Sequence, residues 1–432
     1  YFKLMKKLNK IYINLLLLLF LSFIIAMNFS EIRNFARSKL SHNHKVFIKE
    51  LFFGKEYLEE ISFYKKLGYN RFQIPQTQFI DLEFKKIPLE GLKSFKTHYN
   101  MAFNKKGKTK KFFLEDLGDG ILIASASGEF KISTDYSLSK FKDLNTNLSE
   151  LKVSQVIDIS KLENDIFVSF IIKSEKEDCI FFGIANASIN KENLFFDLFY
   201  KENQCTKETN GLGGRIYPYI FKEKKGFLIT TAATDKMKKK SQDLKSFFGK
   251  IWFFELETKN KILFSIGHRN PQGLIVSDNM IISTEHGPYG GDEINNIKFG
   301  KNYGYPISSY GELYKFKKDK EKLKIPKYEL SKSHLDNNFE EPIFSFVPSI
   351  GISEIEKISN NFSEYWINNF LITSLNGRTI YRVKFDSKYE KVIYMEPMYL
   401  GERIRDIKYI KNENIIILAL EETGSIGVLS AK

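Results

Sequence analysis

The segment from Gly267 to Pro306 gathers more groups able to do chemistry than any other part of the chain. It reads Gly267-His268-Arg269-Asn270-Pro271-Gln272, then Glu285-His286-Gly287-Pro288-Tyr289-Gly290-Gly291-Asp292-Glu293, then Asn302-Tyr303-Gly304-Tyr305-Pro306. Carboxylates beside backbone that glycine leaves exposed suit a hard cation such as calcium, because unhindered carbonyls can join them as oxygen ligands. His286 adds an imidazole able to take a proton near neutral pH. Taken without context, the same residues also suit an ordinary hairpin with a decorated turn.

Arginine is the second chemical signal. Among 66 basic residues only Arg33, Arg37, Arg71, Arg215, Arg269, Arg378, Arg382, Arg403 and Arg405 are arginines. In a chain that defaults to lysine, arginine marks places where a planar fork matters, as in two-point binding of a carboxylate. Ordinary surface ion pairing is the competing account of any single one. No Ser/His/Asp arrangement, Cys/His zinc spacing or phosphate-binding glycine loop is legible.

The elements that must hold these residues are short strands. Ile121–Ser127, Ile166–Lys173, Cys179–Ala185, Phe227–Thr231, Ile251–Glu255 and Met280–Thr284 are β-type runs bounded by Gly, Asn, Asp and Lys. Phe370–Ser374, Thr379–Phe385, Lys391–Met395 and Ile415–Leu420 continue the pattern toward the end of the chain. No helical pattern from residue 72 onward is long enough for crossovers between parallel strands. The fold class is therefore all-β, and about twenty short strands in one long domain best fit a six-bladed β-propeller over residues 72–432. Loops between the strands of such blades gather on one face, where ligands bind.

The first part of the chain differs. Lys3, Lys6, Lys7 and Lys10 precede an apolar run from Ile11 to Met27, the pattern of a signal peptide or an uncleaved signal anchor within residues 1–30. Apolar residues at helical spacing predict a short helical lead-in over residues 31–71, including Leu51, Tyr57, Leu58, Ile61 and Tyr64. Either reading of the first segment implies export to a periplasmic or other extracytoplasmic compartment, with possible tethering to the inner membrane through residues 11–27. Export makes a disulfide between Cys179 and Cys205 available, two buried thiols being the alternative. The formal charge of +14 is spread along the chain rather than gathered into a stripe, which argues against a nucleic-acid partner.

The Gly267–Pro306 stretch resembles the signature of the glucose/sorbosone dehydrogenases. Gly213-Gly214-Arg215-Ile216, Ser241-Gln242-Asp243-Leu244, Phe346-Val347-Pro348-Ser349, Ser374-Leu375-Asn376-Gly377-Arg378 and Gly401-Glu402-Arg403-Ile404-Arg405-Asp406 follow the family order. The resemblance spans residues 72 to 430 and implies a six-bladed propeller with pyrroloquinoline quinone (PQQ) and Ca2+ in a cleft on one face. It places Arg269, Asn270, Ser349, Arg378, Arg403 and Arg405 at cofactor-binding positions. It assigns calcium to the carbonyls of Gly287 and Pro288, with Glu293 and the Tyr303 carbonyl at a separate structural calcium site. The implied substrate is a small sugar, oxidised at its anomeric hydroxyl; the sequence names neither the sugar nor the electron acceptor.

The match departs from the family where the chemistry would occur. Active members carry a His four or five residues before the Arg of the Gly-Gly-Arg motif, and here those positions are Gly211 and Asn210. Neither accepts a proton near neutral pH. Asn376 replaces a family lysine. His286 is the candidate substitute base, while His42, His44, His98 and His334 show no constellation around them. The alternative is a propeller of the same family that no longer catalyses and serves to bind a carbohydrate or a protein.

Overall fold

The computed structural model describes residues 82–93, 95–96, 108–174, 179–207, 211–288, 290–311, 334–359 and 361–431, together with Ser41 and Gly54. The chain divides into two compact units, Tyr1–Gln73 and Ile74–Lys432. The signal segment and the helical lead-in fall outside the described residues, apart from Ser41 and Gly54. Among the described residues no helix is long and apolar enough to cross a membrane.

The second unit is a six-bladed β-propeller. Blade 1 runs outward through Phe112–Asp116, Ile121–Ser125, Phe130–Ser133 and Lys142–Thr146, with the short strand Asn193–Leu194 added in parallel at its edge. Blade 2 comprises Val153–Leu162, Asp165–Lys173, Ile180–Ser188 and Asp197–Lys201. Blade 3 comprises Gly213–Phe221, Lys224–Thr231, Lys250–Glu255 and Lys261–Ile266. Blade 4 comprises Pro271–Ser277, Met280–Glu285, Asp292–Ile297 and Phe344–Phe346. Blade 5 comprises Ile352–Ile358, Asn369–Ser374, Thr379–Phe385 and Val392–Tyr399. Blade 6 takes Ile404–Ile410, Ile415–Leu420 and Ser425–Ala431 from the end of the chain and its outermost strand, Leu82–Pro88, from the beginning.

That borrowed strand pairs antiparallel with Ser425–Ala431 over its full length, from Leu82 opposite Ala431 to Pro88 opposite Ser425. Its free edge carries Lys85, Lys86 and Pro88, residue types that discourage further strand addition. The six innermost strands contact one another in a closed ring, so no sheet edge faces the axis.

Phenylalanine supplies much of the packing between blades. Phe113, Phe130, Phe170 and Phe196 join blades 1 and 2, and Phe167, Phe182, Phe199, Phe227 and Phe254 join blades 2 and 3. Phe227 and Phe254 stack with centroids 5.5 Å apart, and the ring of Phe199 meets both. Each buried ring removes 150–250 Å2 or so from water, which explains how small blades form one continuous core. Cys179 and Cys205 are joined as a disulfide with Cα atoms 5.7 Å apart, which fixes the ends of the outer part of blade 2.

An ionic hub fills the axis. Arg215, on the innermost strand of blade 3, lies 2.8 Å from Asp158 of blade 2, 2.8 Å from Glu354 of blade 5 and 3.5 Å from Asp406 of blade 6. Its guanidinium also donates to the Gln272 carbonyl of blade 4 at 2.6 Å and to the Arg405 carbonyl at 3.0 Å. Asp406 accepts from the Leu114 amide of blade 1 at 2.9 Å. One arginine and its partners thus engage all six innermost strands.

Candidate active site

Arg269, His286, Gly287, Pro288, Glu293 and Tyr303, all singled out in the sequence, line one cavity at blade 4 together with Glu285, Tyr305, Ser308, Ser309 and His334. The second and third strands of blade 4 set Glu285 directly opposite Glu293, and the loop between them carries His286 to Gly291.

Asp292 shapes that loop. One carboxylate oxygen accepts from the Gly287 amide at 3.1 Å; the other accepts from the amides of Ile350, Gly351 and Ile352 at 3.0, 2.7 and 3.0 Å. Successive amides pointing at one oxygen form an anion-binding concavity, and here a side chain of the protein occupies it. The turn is tight: a Cβ on Gly287 would meet the Gly291 carbonyl oxygen at 2.0 Å, and one on Gly291 would meet the Gly311 nitrogen at 2.3 Å. Glu285 is likewise engaged, accepting from the amides of Arg269 and Asn270 and lying 3.0 Å from His268 Nδ1. The carboxylates of Asp292 and Glu285 are thus both held by backbone N–H groups. The carbonyls of Gly287 and Pro288 accept no hydrogen bond among the described residues and line the cavity. They fit the oxygen-donor role implied for them. Among the described residues, no group of three or more His, Cys, Asp and Glu is arranged to hold a metal ion.

His268 is structural. It is fully buried, bonded to Ser265 at 2.8 Å and stacked on Tyr303 with centroids 4.8 Å apart. His286 is different: its ring is partly open to the cleft, and its Nδ1 lies 4.0 Å from Asp292, beyond hydrogen-bond reach. Burial, reinforced by the charges of Arg269, Arg405 and Arg403 against the opposing pull of Asp292, lowers its pKa to about 4. The ring is neutral at neutral pH, and its basicity is weak.

A polar chain connects this cavity to the arginine pair of blade 6. Gln272 donates to Asn270 Oδ1 at 3.0 Å and accepts from Arg405 Nη1 at 3.0 Å. Glu421, 1% exposed, receives Arg403 Nε and Arg405 Nε at 2.8 Å each. Burial alone would push the Glu421 carboxyl up; Arg405 and then Arg403 outweigh it and hold the pKa at about 2. Both terminal nitrogens of Arg403 and Nη2 of Arg405 make no hydrogen bond among the described residues. Two guanidinium forks with unengaged donors fit a planar polycarboxylate.

The remaining candidates are less central. Arg378 pairs with Glu422 at 2.9 Å at the rim. Ser349 Oγ is shielded from water without a hydrogen-bond partner among the described residues. Gly211 does lie at the site: a Cβ there would stand 3.2 Å from Asn270 Nδ2 and 2.8 Å from Thr234 Cγ2. Gly211 thus stands beside Asn270 at φ +63°, and no larger side chain fits there without displacing Thr234. Asn210 falls outside the described residues.

His334 is where sequence reasoning failed. It is 2% exposed and its Nε2 lies 3.6 Å from the Glu293 carboxylate, in the same cavity. Burial raises the Glu293 carboxyl well above its ordinary value, Glu285 adding to it. His334 comes from the far side of the excursion between the third and fourth strands of blade 4, so no local spacing links it to Glu293.

The fold and cleft define a class: a six-bladed propeller with an arginine pair held by one buried carboxylate beside a glycine-rich loop of free carbonyls. The glucose/sorbosone dehydrogenase family profile matches residues 160–428, and the chain belongs to that family. It is 27% identical over 234 residues to aldose sugar dehydrogenase YliI of Escherichia coli (strain K12), covering 50% of this chain and 59% of that relative's length, less than two thirds of it. The solved apo-form of the soluble aldose sugar dehydrogenase from Escherichia coli superposes with a TM-score of 0.60 at 19% identity, over 82% of this chain and 100% of that one. The PQQ-bound aldose sugar dehydrogenase of Streptomyces coelicolor superposes with a TM-score of 0.55 at 17% identity, over 82% and 100% of the two chains. These likenesses establish the fold.

Proposed function

We propose that the protein is an exported, PQQ- and calcium-dependent sugar dehydrogenase. The observation that carries this reading is the pair Arg403 and Arg405, fixed by one buried carboxylate with donors left over for a ligand. Arg403 and Arg405 would hold carboxylates of the cofactor, with Arg269 and Asn270 beside its reactive end and Ser349 and Arg378 nearer the rim. The carbonyls of Gly287 and Pro288 would hold Ca2+, and Glu293 with the Tyr303 carbonyl a second cation. Bound, the quinone supplies a two-electron acceptor for hydride from the sugar's anomeric carbon. His286, neutral at neutral pH, would receive the hydroxyl proton. The Cys179–Cys205 disulfide supports an oxidising, extracytoplasmic location.

A second reading has its own observation. Glycine at position 211 and a weakly basic His286 leave neither position named for the base with a strong proton acceptor, which favours a propeller that binds cofactor, carbohydrate or protein without turnover. Absorbance titration of the purified protein with PQQ and Ca2+, followed by dye reduction over a panel of aldoses, separates the two. Calcium-dependent binding with sugar-dependent bleaching establishes the dehydrogenase, and binding without bleaching establishes the silent form. Absence of PQQ binding removes both cofactor readings.

A further inference from the structure

A cation outside every motif described so far acts on the Arg405–Glu421 pair. Lys111 immediately precedes the innermost strand of blade 1, and the neighbouring Lys110 amide donates to the Glu421 carbonyl at 2.7 Å. Blade 1 is thereby stitched to the turn that anchors Arg403 and Arg405. The Lys111 ammonium lies over the Phe113 ring, 5.1 Å from its centroid, and the Arg215 guanidinium meets the same ring at 5.3 Å. Among the described residues the Lys111 ammonium makes no hydrogen bond and no ion pair, unlike those of Lys86, Lys131, Lys191 and Lys298, each of which has a carboxylate partner. The charged groups that act on it are Arg405 and Arg215, which repel it, and Glu421 and Asp158, which attract it.

We propose that Lys111 is a ligand-contacting residue of the cleft, the third cation with Arg403 and Arg405 of a receptor for a polycarboxylate. The proposal rests on the cofactor reading above and extends it to a residue on a different blade. The charges favour it: Lys111 is repelled by Arg405 and attracted by Glu421, and Glu421 is already bonded to both Arg403 and Arg405. An incoming carboxylate removes the repulsion and gives the lysine the partner it lacks.

The state of the free amine makes the contact measurable. Burial, with Arg405 adding to it, lowers the Lys111 pKa to about 7. An anion bound against it favours the charged form, so ligand binding above that pH draws a proton from solution. At about pH 8 the uptake approaches roughly one proton per ligand, and affinity falls as pH rises from about 7 toward 9.

The test is calorimetric titration of the intact protein in two buffers of different ionisation enthalpy, with PQQ plus Ca2+ and, separately, with trimesate, a planar tricarboxylate that is not a quinone. Wild type should take up the proton. Lys111→Met should lose affinity by on the order of tenfold or more and take up none. Lys111→Arg should regain affinity but still take up none, since its guanidinium is protonated throughout. Affinity unchanged in Lys111→Met, or proton uptake persisting in Lys111→Arg, overturns the proposal, as does failure of both ligands to bind wild type. Trimesate binding that depends on Lys111 without PQQ binding upholds the residue's role and overturns the quinone reading instead.

Discussion

Glu421 shows how one side chain can organise a binding site without touching a ligand. Its carboxylate is buried and bonded to two arginines, and its pKa of about 2 lies below the ordinary 4.5. A depressed carboxyl contributes stability above its unfolded pKa and loses that contribution as pH falls toward the folded value. Glu421→Gln should therefore unfold more easily than wild type at neutral pH, by about 3 kcal/mol, because two buried guanidinium groups lose their counter-charge. Denaturant titrations should show that gap closing between about pH 4.5 and pH 2. His286 makes the complementary case. If it accepts the sugar proton, the acid limb of the rate profile should fall near pH 4, where the ring becomes charged, rather than near the ordinary 6.5; replacing it with Ala should remove turnover and leave PQQ affinity intact. Arginine scarcity singled out Arg403 and Arg405, which share the buried Glu421, but also Arg382, which pairs with Glu396 and packs on Trp366 in the wall of blade 5. Lys111 and His334 were invisible, the first because one lysine does not stand out in this chain, the second because its partner is distant in sequence.

At the scale of elements, the cleft loop owes its form to Asp292. Asparagine there has one carbonyl oxygen in place of two carboxylate oxygens, so its amide must face either the Gly287 N–H or the three amides of Ile350 to Ile352. Asp292→Asn should cost about 1–3 kcal/mol and weaken PQQ binding, measured by denaturation midpoint and absorbance titration. The strands themselves were largely legible. Thr379–Phe385 and Ile415–Leu420 have the bounds expected from their apolar runs. Phe227–Thr231 is longer than expected, starting at Lys224, because exposed Lys224 and Lys225 pair across a hairpin whose turn, Lys222 and Glu223, takes positive φ. Lys391–Met395 instead runs from Val392 to Tyr399, through Pro397, which an outermost strand tolerates on its unpaired side. Polarity at hairpins and a proline thus concealed strand length while leaving strand identity readable.

The whole molecule is held at its axis by charge as well as by rings. Asp158 and Glu354 are pushed up to about 6 and about 7 by burial, against the pull of Arg215. Carboxyl groups raised in this way favour the folded state below their unfolded pKa and oppose it as pH rises through the folded value. Arg215→Met should unfold at markedly lower denaturant concentration at neutral pH and regain stability on acidification from about pH 7 to pH 4, which calorimetric melting across that range would register. Because partners on every blade meet at this one guanidinium, its loss should lower a single transition rather than release one blade. The number of blades was readable from strand count and length, whereas the hub was not: Gly213-Gly214-Arg215 was legible as a motif, but nothing in its spacing showed that Arg215 reaches carboxylates on three other blades. The strand Leu82–Pro88 carries a further consequence. Its partner Ser425–Ala431 is the last of the propeller's strands in chain order, so the ring stays open until strands more than 330 residues apart have both been made. Ring closure, and with it a finished cleft, thereby waits on the synthesis of Ser425–Ala431.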